Sequence, residues 1–361
     1  MISPDLMNLN DPQLYKKLDP EDMIGHINGL PDQLAAAWKL GNTLDLPKWT
    51  GIRQVVVAGM GGSAIGSDLL AAYAEPTLRT AWVTHRDYGL PTWARREETL
   101  VVCSSHSGNT EETLSAFEAA RAAGCRILAI VTGGTLAKAA QKASVPLWTF
   151  EHKGQPRTAI GFSFGLLLAA ASRLNLIPDA ANELAGAVTA MKEQQRSFLP
   201  DVPDTSNSAK RMGGQFMGRW ITIYGAGLLA PVARRWKTQI NENAKAQACF
   251  EQIPEADHNT LQGVAQPESQ FPATMAIFLR SAHNDPRDER RTELTRMAIM
   301  LQGQNTDTIT AQGDSRLAHL WTALHYGDYA SYYLALAYGL DPTPVPMLAE
   351  LKEKLGGHRK Q

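Results

Sequence analysis

Twice along this chain a short, apolar, β-rich run ends in glycines and gives way to a helical stretch. The first run is Gln54 to Ala58, followed by Gly59-Met60-Gly61-Gly62. The second is Trp220 to Tyr224, followed by Gly225-Ala226-Gly227. Strands that alternate with helices return in parallel, because a parallel crossover needs a helix-sized connection. The pattern therefore confines the fold to the α/β class with doubly wound parallel sheets. Around the first turn the alternation continues as a helix Ala64 to Ala74, strands Thr80 to Thr84 and Leu100 to Ser104, a helix Thr110 to Ala123 closed by Gly124, and a strand Arg126 to Thr132. Around the second it predicts a helix running to Phe250, a strand Ala273 to Leu279, a helix Arg290 to Leu301, a strand Asp307 to Ala311 and a last helix Ser315 to Tyr338.

A length of 361 residues suits two such lobes in tandem. Helices precede the first: Asp19-Pro20 and Leu30-Pro31-Asp32 are start signals, and Gly41 is expected to close the run Gln33 to Leu40. The polar connection Glu151 to Pro156, followed by an apolar helix Ala159 to Leu174, places the boundary between residues 1–154 and residues 155–361. The two glycine turns occupy equivalent places, so the chain reads as an internal duplication of fold with flanking N- and C-terminal helices. In sheets of this kind ligands bind beyond the carboxyl ends of the strands.

Composition removes several function classes. Hydrophobic residues make up 44% and charged residues 20%, and the formal charge is −1, so no general field draws the protein to nucleic acid or acidic lipid. The apolar run Phe162 to Ser172 is too short to span a bilayer, and Met1 to Asp5 lacks a basic segment leading into an apolar one. The three cysteines form no CxxC pair, which fits reduced thiols in the cytoplasm. None of the nine histidines has zinc-type spacing with cysteine or glutamate, so no metal is expected. The first glycine turn lacks the G-x-G-x-x-G spacing of a dinucleotide site, and no cofactor is expected either.

The densest chemistry lies in Ser105-His106-Ser107-Gly108-Asn109-Thr110-Glu111-Glu112-Thr113, between a strand and a helix. Hydroxyls of Ser105, Ser107 and Thr110, with backbone N–H groups at a helix N-terminus, suit a phosphate dianion. The same residues also suit plain capping of that helix, and spacing alone leaves both readings open. Gly62 and Ser63 open the other helix, where the backbone can approach the same ligand. In the second lobe, Gln239-Ile240-Asn241-Glu242-Asn243-Ala244-Lys245 sets a carboxylate among amides. His258-Asn259 follows Pro254-Glu255-Ala256-Asp257. Taken singly, Glu242 and His258 read as ordinary solvated residues.

Together these segments resemble the sugar isomerase (SIS) fold and, more narrowly, the bifunctional phosphoglucose/phosphomannose isomerase family. The resemblance covers nearly the whole chain. It rests on Gly59-x-Gly61-Gly62-Ser63-Ala64-Ile65-Gly66-x-Asp68, Ser105-x-Ser107-Gly108-Asn109-Thr110-Glu111-Glu112-Thr113, Pro156-Arg157-x-Ala159, Asn241-Glu242-Asn243-Ala244-Lys245, His258-Asn259 and Asp341-Pro342-x-Pro344-Val345 with Leu351-Lys352. It implies two SIS lobes and metal-free interconversion of glucose 6-phosphate and mannose 6-phosphate with fructose 6-phosphate through an enediolate. It further implies phosphate contacts from Gly62, Ser63, Ser105, Ser107 and Thr110, with Glu242 as the base and Arg157 facing the enediolate charge. His258 and Lys352 would assist ring opening, and a homodimer would carry His258 across its interface. Thr343 is the residue singled out for leaving room to reprotonate either face of C2.

The chemistry suits these residue types. A hydrogen α to a carbonyl is weakly acidic, so a carboxylate removes it only where fixed donors stabilise the enediolate. Two positions depart from the family pattern: Ser67 stands where another glycine is common, and His106 separates the two phosphate serines. Two other functions fit the same cradle: a non-catalytic sugar-phosphate sensor, and an isomerase limited to glucose 6-phosphate or an amino sugar phosphate. Neither a DNA-binding helix pair before Ile52 nor a glutaminase segment is present to favour them.

Overall fold

The structure, a computed structural model, describes residues 7–357. The Met1 to Asp5 stretch assessed above for a targeting signal lies outside the described residues. Helices α1 (Pro12–Leu18), α2 (Met23–Asn28) and α3 (Leu30–Thr43) come first. The first lobe runs β1 (Gln54–Ala58), α4 (Gly62–Ala74), β2 (Ala81–His85), β3 (Thr99–Ser105), α5 (Glu111–Ala122), β4 (Arg126–Val131), α6 (Gly134–Lys142) and β5 (Leu147–Thr149). Helices α7 (Ile160–Arg173), α8 (Ala181–Gln195) and α9 (Ser208–Phe216) follow. The second lobe runs β6 (Trp220–Ala226), α10 (Ala230–Asn243), β7 (Ala248–Ile253), α11 (Thr260–Gly263), β8 (Thr274–Arg280), α12 (Pro286–Leu301) and β9 (Asn305–Thr310). It is closed by α13 (Arg316–Ala337) and α14 (Pro346–Gly357).

Both sheets are parallel throughout, with orders β2-β1-β3-β4-β5 and β7-β6-β8-β9. Strand for strand, β1 to β4 correspond to β6 to β9. The duplication inferred from the glycine turns is thus a duplication of topology. In each lobe the winding direction reverses between the first strand and the third, which opens a crevice at their carboxyl ends.

One continuous apolar core joins the lobes: Val55 and Ile65 of the first, Phe164 of α7, Ile221 and Trp236 of the second, and Trp321 of α13 belong to it. Helix α13 is buried over almost its whole length, as its all-round apolar sequence requires. It packs on α8, α9 and α10. Phe164 meets Trp321 edge to face at 5.2 Å, a geometry worth about 0.5–1.5 kcal/mol beyond its buried area. Among the described residues no helix is long and apolar enough to cross a membrane.

Two expectations are corrected. The second-lobe helix stops at Asn243 rather than reaching Phe250, because Lys245 takes a left-handed backbone (φ 53°) and the chain re-enters the sheet as β7. That strand lies at the sheet edge and its burial is patchy, so it carries no clean two-residue alternation. Gly41 does not end its helix. It sits inside α3, where a Cβ would lie 2.6 Å from that of Ala169, and so permits the close approach of α7.

Candidate functional site

The crevice of the first lobe is framed by the turn after β1 and the loop after β3. Gly62 and Ser63 start α4, and Thr110 stands just before α5; neither helix receives a side-chain cap. The Thr110 hydroxyl lies instead 3.0 Å from that of Ser105. Of the two readings of this loop, capping of α5 by Thr110 is therefore not what the structure contains. The first N–H groups of both helices are left without a side-chain cap, and the N-terminus of a helix favours an anion.

The loop is held by its own hydroxyls. Ser105 Oγ accepts from Gly108 N–H at 3.0 Å, Ser107 Oγ from Asn109 N–H at 3.2 Å, and Ser63 Oγ from His106 N–H at 3.1 Å. Ser63 and Ser105 are buried and Ser107 is exposed. A small hollow is lined by Gly62, Ser63, Ser105, His106, Phe150 and Pro156. At Gly62 a Cβ would stand 2.7 Å from the Pro156 carbonyl oxygen, so only glycine lets the turn after β1 sit against the segment that carries the next residue, Arg157.

Arg157 is the junction of the two lobes. It is 3% exposed and spends its donors on both sides. Nε donates to Asn243 Oδ1 at 2.8 Å, Nη1 pairs with Glu242 Oε2 at 3.4 Å, and Nη2 donates to the carbonyls of Pro342 (2.8 Å) and Thr343 (2.7 Å). Its own carbonyl accepts from Arg235, whose guanidinium is paired with the buried Asp328. Burial lowers the Arg157 pKa from its ordinary value, and the Glu242 carboxylate opposes that shift. Glu242, near the end of α10, keeps 29% of its side chain exposed, so it is held by the arginine yet remains open to a ligand.

The structure thus brings Gly62, Ser63, Ser105, Thr110, Arg157, Glu242 and Thr343 into one chain of contacts that crosses the lobes. Thr343 is buried, and its hydroxyl has no hydrogen-bond partner among the described residues. His258 and Lys352 are not joined to this chain by a hydrogen bond or ion pair among the described residues. Both are exposed, His258 in the turn after β7 and Lys352 on α14.

The two departures from the family pattern have local explanations. Ser67 is turned to β2, accepting from Trp82 Nε1 at 2.9 Å and sharing a hydrogen bond with Thr84. The His106 ring meets His152 Nδ1 at 2.9 Å, and burial pushes the His152 imidazole down to about 4, with His106 and His26 adding to the shift. Sequence reasoning had no signal for this pair, which lies 46 residues apart. It also gave Lys245 and Asp328 no role. The second was detectable as a lone carboxylate in the apolar run of α13. Among the described residues no group of three or more histidine, cysteine, aspartate or glutamate side chains could hold a metal ion.

Comparison with known proteins places the whole chain in a family. The family model described as the bacterial phospho-glucose isomerase C-terminal SIS domain matches residues 205–355. A bifunctional phosphoglucose/phosphomannose isomerase of Caldicellulosiruptor bescii is 36% identical over 335 residues, spanning 92% of this chain and 98% of that protein. One from Aquifex aeolicus is 32% identical, spanning 87% and 93%. Among solved structures, a glucose-6-phosphate isomerase like protein from Thermus thermophilus superposes with a TM-score of 0.63 over 95% of this chain and 100% of that one, at 18% identity, which speaks to the fold alone. With relatives of this identity over nearly their full length, the chain belongs to the bifunctional phosphoglucose/phosphomannose isomerase family.

Proposed function

We infer that the protein interconverts glucose 6-phosphate and mannose 6-phosphate with fructose 6-phosphate by moving one proton between C1 and C2. The phosphate rests on Ser63, Ser105, Ser107, Thr110 and the Gly62 backbone. Glu242 removes the proton from C2 of the aldose and returns it to C1. Arg157 donates to the enediolate oxygens, a charge that fixed donors in a partly dry crevice stabilise without reorganisation. The observation that supports this reading is the Arg157 to Glu242 contact, because the arginine that holds the carboxylate follows Pro156, whose carbonyl packs against the Gly62 turn.

Glu242→Gln keeps the shape and removes the base. It is expected to lower kcat for fructose 6-phosphate by about 10³-fold or more while binding survives, since general base catalysis supplies about 10²–10⁴. A variant as active as wild type would end the assignment. Turnover of both aldose phosphates is expected to persist in a chelator, since Arg157 supplies the charge; a loss restored by a divalent metal would argue against the metal-free route.

The reading extends to a cytoplasmic homodimer serving glycolysis and gluconeogenesis. In it the partner subunit's His258, with Lys352, assists ring opening, and Thr343 leaves room for reprotonation on either face of C2. The exposure of His258 and Lys352 supports this arrangement, since groups so placed are reachable from another chain. Sedimentation of an active monomer would remove it. The lobes are taken to divide between residues 154 and 155, in the irregular stretch between β5 and α7.

A further inference from the structure

The residue just past the end of a helix commonly adopts a left-handed backbone, and glycine is the usual occupant because it has no Cβ to clash. At the end of α10, the helix that carries Glu242, this place is held by Lys245 with φ 53°. Left-handed backbone is unfavourable for a side chain of this kind, so the position keeps a lysine against its local preference. Such outliers point to a use for the side chain.

The side chain has one. Its ammonium donates to the Asn243 carbonyl at 3.0 Å and to the Asp341 carbonyl at 2.5 Å. It thereby ties the end of α10 to the segment 341–343, whose next two carbonyls are the ones that receive Arg157 Nη2. That segment is braced once more by Thr343 N–H donating to Asp341 Oδ1 at 2.8 Å. We propose that Lys245 is a positioning residue for catalysis: its ammonium clamps the 341–343 segment to the helix of Glu242 and so fixes Arg157 against that carboxylate. This rests on the isomerase reading above.

The clamp is charge-dependent. Burial and the Arg157 guanidinium lower the Lys245 ammonium to about 8, while Asp341 and Glu242 act in the other direction. These are the charged groups that face it from α10, from the turn before α7 and from the segment before α14. The clamp is therefore charged well below pH 8, half charged near it and lost above it.

Three variants test the proposal, assayed on the full chain with fructose 6-phosphate. Lys245→Gly relieves the backbone strain, so it is expected to melt at or above the wild-type temperature and yet lose about tenfold in kcat, with KM within about twofold because the phosphate cradle is untouched. Lys245→Met is expected to lose kcat to a similar degree. Lys245→Arg keeps a charged donor and is expected to restore at least half of kcat. It should also move the alkaline limb of the kcat profile upward from about pH 8 by a unit or more. Unchanged kcat in both the glycine and methionine variants overturns the proposal, and so does an alkaline limb that stays in place in Lys245→Arg. A wild-type protein that turns over neither glucose 6-phosphate nor mannose 6-phosphate would instead sink the isomerase reading, so the two failures are distinguishable.

Discussion

The turn after β1 and the turn after β6 occupy the same place in two sheets of the same strand order, but their side chains finish them in opposite ways. In the first lobe α4 and α5 begin without side-chain caps, and hydroxyls of Ser63, Ser105 and Thr110 line the space before them. In the second lobe Asn284 Oδ1 accepts from Leu228 N–H at 3.1 Å, at the turn that leads into α10. Asp285 caps α12 through Arg287 N–H. Ser281, the first residue past β8, has its hydroxyl engaged with His319 Nδ1 at 2.9 Å. The duplicated fold thus provides two crevices, and side-chain oxygens have filled one of them. What the second lobe contributes lies at the far end of α10, where Glu242 and Lys245 stand.

The largest effect that this contrast predicts is on the open turn. On the proposed phosphate reading, replacing Ser105 and Ser107 together by alanine removes two hydroxyl donors to a charged group, each worth about 1.5–3 kcal/mol. KM for fructose 6-phosphate is expected to rise by at least about 10²-fold, with a smaller change in kcat. The matching substitution on the filled turn, Ser281→Ala, is expected to leave KM within about twofold. If steady-state kinetics showed the two changes to be equally harmful, the contrast between the turns would be wrong.

How much of this the sequence disclosed depends on where each interaction lies. The run Val55 to Ala58 and the stretch around Ser105 are buried strand segments bounded by glycine and hydroxyl residues, so the first crevice is legible from local pattern. The buried helices α7 and α13 are equally plain. Strand β7 escaped notice because an edge strand with patchy burial resembles the tail of the helix before it. Arg157 and Glu242 lie 85 residues apart, and no periodicity connects them; only the family resemblance put them in one site. The filling of the second turn was invisible for a similar reason. Leu228 and Asn284 are 56 residues apart, and an asparagine in a loop carries no mark of what it accepts.

A smaller effect is expected at that filled turn. Asn284→Ala leaves the buried Leu228 N–H without its acceptor, which costs about 1–3 kcal/mol. Urea denaturation should show the loss, while kcat and KM for fructose 6-phosphate stay close to wild type. A variant as stable as wild type would mean that solvent or a neighbour serves the N–H equally well, and the second crevice would then be open rather than filled.

The smallest effect separates the histidines of the two turns. His152, paired with His106 beside the open crevice, is held at about 4 against an ordinary 6.5, and His319 at the filled one is also lowered, in both cases first by burial. A histidine depressed in the folded state stays neutral there while the unfolded chain takes up a proton. The stability it contributes is therefore complete above pH 6.5 and is lost as pH falls towards 4. His152→Phe keeps a ring against Phe162 and removes the titration at the open turn alone. The difference in unfolding free energy between pH 7 and pH 4.5 should then be smaller in the variant by roughly 1 kcal/mol, less than the full shift implies because the ring is partly solvated. His319 should still supply its share of the acid sensitivity. An identical pH slope in the variant and wild type would assign that sensitivity to the filled turn and leave the His106–His152 pair as packing.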